Sequence, residues 1–201
     1  MGILRQHGIA SLALCIGILM LAGCDKFMIG SGTIHRGQKA PSVHTKKLSD
    51  VQGDMGKITS YHFPVPAMYR YSEDEALKLH KPVVLEFATP AHCTQCDKQL
   101  QLLKMLMRKY GNKVVVLHFD EYYNPEAYRA FKVRGEPWTV LLDRWGVVRR
   151  LYPGRTLEGE IDPVLAKLVM EKTPPARDKK ALLPPAKARK VLSPQGKKSA
   201  G

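Results

Sequence analysis

Cysteine is scarce in this chain, and the second ligand pair of a structural zinc site is missing from its spacing. Four cysteines stand among 201 residues, at positions 15, 24, 93 and 96. Cys93-Thr94-Gln95-Cys96 is one C-x-x-C pair, but there is no second C-x-x-C and no H-x-x-x-H to supply the other half of a structural zinc site. A membrane-spanning run is also lacking. The apolar run over 9–21 is about a dozen residues long, which suits a signal-peptide core and falls short of the ~20 a spanning helix needs. Acidic residues are few, Asp+Glu 18 against Lys+Arg 32, for a formal net charge of +14. The imbalance is local: residues 172–201 hold nine Lys/Arg and one acid, Asp178, and so contribute +8. That stretch carries Pro174, Pro175, Pro184, Pro185 and Pro194 and almost no aromatics. It cannot bury enough apolar area to offset its ordering entropy, and reads as a solvated tail or as a surface attracted to anionic headgroups or an acidic partner. Residues 25–60 show no long apolar period, and Gly30, Gly32, Gly37, Gly53 and Gly56 punctuate them. The expectation for 24–60 is a flexible tether with an r.m.s. reach on the order of 30 Å.

What is present is chemistry at one junction. The C-x-x-C pair follows the apolar run Val83-Val84-Leu85-Glu86-Phe87 and opens a helix-like stretch. Two cysteines three apart on a first helical turn can close a small disulfide, and the helix dipole stabilises the first as a thiolate. Redox exchange, metal binding and a structural disulfide all remain open for such a pair; its context favours the first.

Around the pair, the pattern predicts alternating elements over 61–171. Ser72-Glu73-Asp74-Glu75 reads as a capping box opening a short helix to about His80, and Lys81-Pro82 ends it. Val83 to Phe87 reads as a buried strand. From Thr94 to Tyr110, Leu100, Leu103, Leu106 and Met107 recur at helical spacing, with Gly111 as the stop. A strand over 114–119, a short helix over 126–131, a strand over 139–142, a turn over 143–146, a strand over 147–151 and a helix over 157–170 follow. A parallel βαβ unit, a hairpin and a last helix give an α/β fold with a mixed central sheet and helices on both faces.

Two resemblances add to this reading. Leu21-Ala22-Gly23-Cys24 resembles the lipobox of bacterial lipoproteins. It implies a signal peptide over 1–23, a mature chain of 178 residues and Cys24 as the lipid acceptor, leaving Cys93 and Cys96 as the only thiols. Asp25 resembles the inner-membrane retention signal of some Gram-negative lipoproteins. An exported lipoprotein meets little nucleic acid, so the basic charge is not read as nucleic-acid binding. The second resemblance is to thioredoxin. It rests on the element order, the C-x-x-C at the second helix, Arg134-Gly135-Glu136-Pro137 before the next strand, Asn124-Pro125, Gly146 and Gly154, and it covers about residues 70–170.

The thioredoxin resemblance implies Cys93 as the attacking thiolate, Cys96 as the resolving thiol and Pro137 as a cis-proline that holds a substrate strand. It implies that Glu86 is a buried acid serving Cys96 and that His118 is the basic partner of that acid. The alternatives are a solvent-facing strand-edge acid for Glu86, a satisfied core histidine for His118 and an ordinary trans proline for Pro137. The chain departs from the family in having His92 before the first cysteine, Thr94-Gln95 between the two, a loop over 88–92 one residue longer, and Trp138 after Pro137. His92 reads either as a cation beside the Cys93 thiolate or as an exposed loop residue. Glu136 reads as a local charge filter that disfavours acidic substrates. The implied function is a thiol–disulfide oxidoreductase of the cell envelope, lipid-anchored and facing the periplasm. It needs no cofactor, acts on envelope proteins with thiols or disulfides, and is reset by a separate membrane redox partner. The other readings are a copper-binding metallochaperone using His92, Cys93 and Cys96, and a non-catalytic tethered adaptor.

Overall fold

The computed structural model describes residues 34–174. The expected signal peptide, the lipid acceptor Cys24 and the tail beyond 174 lie outside the described residues. Among the described residues, no helix is long and apolar enough to cross a membrane.

Among the described residues four α-helices and four strands follow one another: α1 (Glu73–Lys78), β1 (Val83–Phe87), α2 (Thr94–Tyr110), β2 (Val115–Phe119), α3 (Pro125–Phe131), β3 (Trp138–Leu142), β4 (Val148–Pro153) and α4 (Glu158–Met170). The sheet order is β2-β1-β3-β4. β1 pairs in parallel with β2, while β3 is antiparallel to both β1 and β4. This is the mixed, thioredoxin-like sheet that the element order predicts.

Local chemistry sets the boundaries. Ser72 N–H donates to Glu75 Oε2 at 3.1 Å, closing the capping box of α1. The backbone of Gly111 sits at φ 54° just past α2, where a residue without Cβ is the natural stop. Gly146 takes φ 71° in the hairpin turn between β3 and β4, and Gly146 N–H donates to Asp143 O at 2.9 Å.

The strand period of two sorts the core into two layers. On one face Val84, Ala88, Val116 and Leu141 pack under α2 (Leu100, Leu103, Leu106) and α4 (Ile161, Leu165, Leu168). On the other, Val83, Leu85, Phe87, Leu117, Phe119, Val140 and Leu142 pack against Ala76 of α1 and Ala127, Tyr128 and Phe131 of α3. Glu86, His118 and Thr139 are in register across β2-β1-β3. The same alternation puts all three polar side chains on the α2 face.

The tether expectation fails from residue 34 onward. Gly37 N–H donates to Val148 O at 2.8 Å and Val148 N–H to Gln38 O at 2.9 Å, so this segment covers the open edge at the start of β4. Val43 N–H donates to Glu73 Oε2 at 2.8 Å and Lys46 N–H to Asn124 Oδ1 at 2.7 Å. Ile58 is fully buried in the α2-face core. The segment advances by extended stretches and 3₁₀ turns (Leu48–Val51, Met55–Lys57), inserting apolar residues one at a time. No helical or strand period marks such a path. Ile58→Ala should therefore cost about 2–5 kcal/mol in urea denaturation, the range for emptying a core site. A change near zero would return the segment to a tether.

Candidate active site

The site forms where β1 ends and α2 begins. Ala88 and Thr89 are buried, a loop over 90–92 follows, and Cys93 is the N-cap of α2. Cys93 and Cys96 form a disulfide with Cα atoms 5.3 Å apart. Cys93 Sγ also accepts a hydrogen bond from Cys96 N–H at 3.2 Å, as a capping side chain does. The two sulfurs differ in environment: Cys93 is half-buried on the wall of a cleft of about 530 Å³, whereas Cys96 is fully buried in the core. An arriving disulfide can meet Cys93 and cannot meet Cys96.

The Glu136–Pro137 bond is cis, as the thioredoxin resemblance implies. Glu136 lies on the cleft, and one of its carboxylate oxygens and both sulfurs lie within 4.8 Å of one another. Its carboxylate, however, is turned into the protein. Oε2 accepts from Thr89 N–H at 3.0 Å and faces His92 Nε2 at 3.0 Å; Oε1 accepts from Thr89 Oγ1–H at 2.7 Å and from the Tyr128 hydroxyl. Only 9% of the side chain is exposed. A carboxylate this fully engaged is a fixed anchor of the cleft wall, and the free charge filter expected for Glu136 is not the arrangement found. Burial, and then the bond to Glu136, push the Tyr128 hydroxyl strongly up, so it remains a donor.

His92 is exposed, as one of its two readings has it, but it is not free. Nε2 pairs with Glu136, and Nδ1 lies 3.3 Å from the Tyr122 hydroxyl, with the two rings edge to face at 5.8 Å. Its polar contacts are with Glu136 and Tyr122.

Beneath the pair, Glu86 is fully buried, not an edge acid. Oε2 accepts from Thr139 Oγ1–H at 2.6 Å, and Oε1 has no hydrogen-bond partner. Burial raises its pKa to about 8, against the opposing pull of the Thr139 bond and with a smaller push from Glu136. Thr139 Oγ1 in turn accepts from Gln99 Nε2 at 3.2 Å, and Gln99 Oε1 accepts from Thr156 N–H at 2.9 Å. Glu86 thus hangs at the end of a neutral, buried chain of donors.

His118 is not the basic partner expected for Glu86. Its Nε2–H donates to Ala88 O at 2.8 Å, and its Nδ1 accepts from the Tyr69 hydroxyl at 2.6 Å, a tautomer fixed by that carbonyl. Burial lowers its pKa, partly opposed by the Ala88 bond, so the ring is neutral. It is a satisfied core histidine that braces the start of the active-site loop.

Sequence reading missed Thr89, Tyr128, Tyr122, Gln99 and Thr139. Each is an ordinary residue type at an unremarked position, and only its partner gives it a role. A larger groove of about 750 Å³, between α2 and the start of α4, is lined by Lys98, Lys104, Arg108 and Arg155 and contains neither cysteine.

The pair at disulfide distance on this sheet fits a thiol–disulfide oxidoreductase. No family model matches the chain, and no curated protein matches it. Among solved structures the chain is similar to Deadhead, a germline-specific thioredoxin of Drosophila melanogaster, at 25% identity over 63% of this chain and 98% of that one, with a TM-score of 0.43.

Proposed function

We propose that this chain is a thiol–disulfide oxidoreductase of the bacterial cell envelope, held to a membrane by lipid on Cys24. The observation that carries the redox reading is the asymmetry of the Cys93–Cys96 disulfide at the β1–α2 junction, one sulfur on an open cleft and the other buried. In the reduced protein, Cys93 thiolate attacks a substrate disulfide and expels one substrate thiolate, forming a mixed disulfide. Cys96 then attacks the Cys93 sulfur and expels the second substrate thiolate. Two electrons pass to the substrate, and the protein is left with its own disulfide. Run backwards, the same steps oxidise a substrate dithiol. A separate dithiol or disulfide partner in the membrane resets the pair.

Glu86 is the acid on the α2 face with Oε1 unpartnered, and its ionised form, which gains population as pH approaches 8, is the one that can take the Cys96 proton. A carboxyl raised to about 8 is close in acidity to an ordinary thiol, which makes such a transfer useful. Reduction of insulin disulfides with dithiothreitol as the reductant tests the activity. No acceleration beside an active thioredoxin would overturn it. Equilibration with glutathione then fixes whether the protein runs as reductant or oxidant.

The lipobox-like run supports the anchor, and Asp25 favours the inner membrane. Cys24→Ser should abolish palmitate labelling and block processing of the precursor. Labelling that survives the change would exclude this attachment.

A further inference from the structure

We infer that the reduced protein holds one Zn²⁺ ion on Cys93, Cys96 and Glu136, with His92 as the fourth ligand. Unlike donors from distant parts of the chain meet at this cleft. The two sulfurs and a Glu136 oxygen lie within 4.8 Å of one another, and His92 Nε2 is 3.0 Å from Glu136 Oε2. Tetrahedral zinc, with Zn–S of ~2.3 Å and Zn–N and Zn–O of ~2.0–2.2 Å, sets neighbouring ligand atoms roughly 3.3–3.8 Å apart. His92 groups with Glu121 and Glu136 and not with the sulfurs, so a shared ion asks its exposed side chain to swing toward Cys93 while its gap to Glu136 opens by about 0.3 Å. Breaking the disulfide frees the sulfurs to separate to the same spacing.

The supporting shell is already built. Thr89 N–H, Thr89 Oγ1–H and the Tyr128 hydroxyl hold the Glu136 carboxylate, as outer-shell donors hold a ligating carboxylate in metal sites. The Tyr122 hydroxyl at His92 Nδ1 orients the imidazole. His92, Cys93 and Glu136 line the open cleft and Cys96 lies buried behind Cys93, so the ion enters from the Cys93 side. The donor set also names the metal. Two thiolates with an imidazole and a carboxylate suit borderline Zn²⁺, whereas Cu(I) would be satisfied by the sulfurs and gain little from Glu136.

The chemistry balances without any change in the metal. Two thiols release two protons, His92 gives up any proton on Nε2 to Nδ1 or to solvent, two Zn–S bonds, one Zn–N and one Zn–O bond form, and neither zinc nor sulfur is oxidised or reduced. The disulfide form has no thiolate to give. Occupancy thus follows the redox state, and a bound ion covers the nucleophile Cys93 until it leaves.

Zinc binding rests on the proposed function only in needing a reducible pair, and metal uptake is measured without any substrate. Full-length protein, reduced with a water-soluble phosphine, is titrated with Zn²⁺ by calorimetry and with Co²⁺ by absorption. One equivalent should bind to the reduced form, with thiolate-to-cobalt charge-transfer bands and the strong visible bands of tetrahedral cobalt. The disulfide form should bind at least about 100-fold more weakly. Glu136→Gln should weaken zinc by about 100-fold, and His92→Ala, an exposed change that leaves the core intact, by about tenfold, with Cu(I) binding unchanged in both. Equal uptake by the disulfide form would overturn the proposal, and so would zinc binding indifferent to both substitutions. Zinc uptake without insulin reduction would sink the oxidoreductase reading alone; insulin reduction without zinc uptake would sink this one alone.

Discussion

Cys93→Ser should reduce disulfide exchange to the rate of buffer, and Cys96→Ser should accumulate mixed disulfides. The reason is the difference in reach between two sulfurs one helical turn apart. Cys93 caps α2, faces the cleft and has a backbone N–H aimed at its sulfur. These features stabilise a thiolate and expose it. Cys96 is sealed in the core with Leu100 and Ala88. It can reach the Cys93 sulfur and no external one. With Cys96 replaced, the first attack proceeds and the second cannot, so the covalent adduct persists. Non-reducing electrophoresis after alkylation reads both outcomes: high-mass bands for Cys96→Ser that vanish with dithiothreitol, and none for Cys93→Ser. Equal trapping by both variants would reverse or abolish the assignment of roles.

Glu86→Gln should remove most of a pH-dependent loss of stability worth a few kcal/mol, and the variant should be the more stable protein above pH 8. The folded carboxyl has its pKa raised from 4.5 to about 8, by burial first. Below pH 4.5 it is protonated whether the chain is folded or not. Above that the unfolded chain releases its proton while the folded chain holds it to about pH 8, so stability falls as pH rises through this window. Glutamine keeps a carbonyl for the Thr139 hydroxyl and never ionises. Glu73, raised to about 7 chiefly by burial, slopes the same way, and His118, lowered chiefly by burial, slopes the other way. Both are present in the two proteins and cancel in the difference between them. Urea denaturation of the disulfide forms at pH 5 and pH 9 measures it. A difference that does not change with pH would mean that Glu86 is ionised in the folded protein at neutral pH. The same substitution should slow release of substrate by Cys96 while leaving attack by Cys93 intact, because it deletes a proton acceptor and leaves the cleft unchanged.

The elements that carry the site are legible in the residues alone. β1 and α2 have the bounds read from the sequence because their signals are local: five residues preceded by Lys81-Pro82, then an apolar stripe stopped by Gly111. The hairpin turn is legible for the same reason, since Gly146 supplies its positive φ. Residues 34–60 are not legible. They are held by Glu73, Asp120, Asn124 and the β4 edge, partners that lie far along the chain and leave no period behind.

The sequence by itself determined the strand–helix alternation, the cysteine pair at a helix start and the proline before β3, because N-caps, turns and hydrophobic periods depend on neighbours within a few positions. Only the tertiary structure decided the electrostatics around that pair. Glu136 is turned inward because Thr89 and Tyr128 meet it there. His118 is neutral because burial disfavours its charge and Ala88 and Tyr69 take both its nitrogens. Glu86 keeps one unpartnered oxygen because Thr139 reaches only the other. Each outcome depends on which groups non-local packing brings within hydrogen-bond distance and on how much water it excludes, and neither is written in the spacing of the residues along the chain.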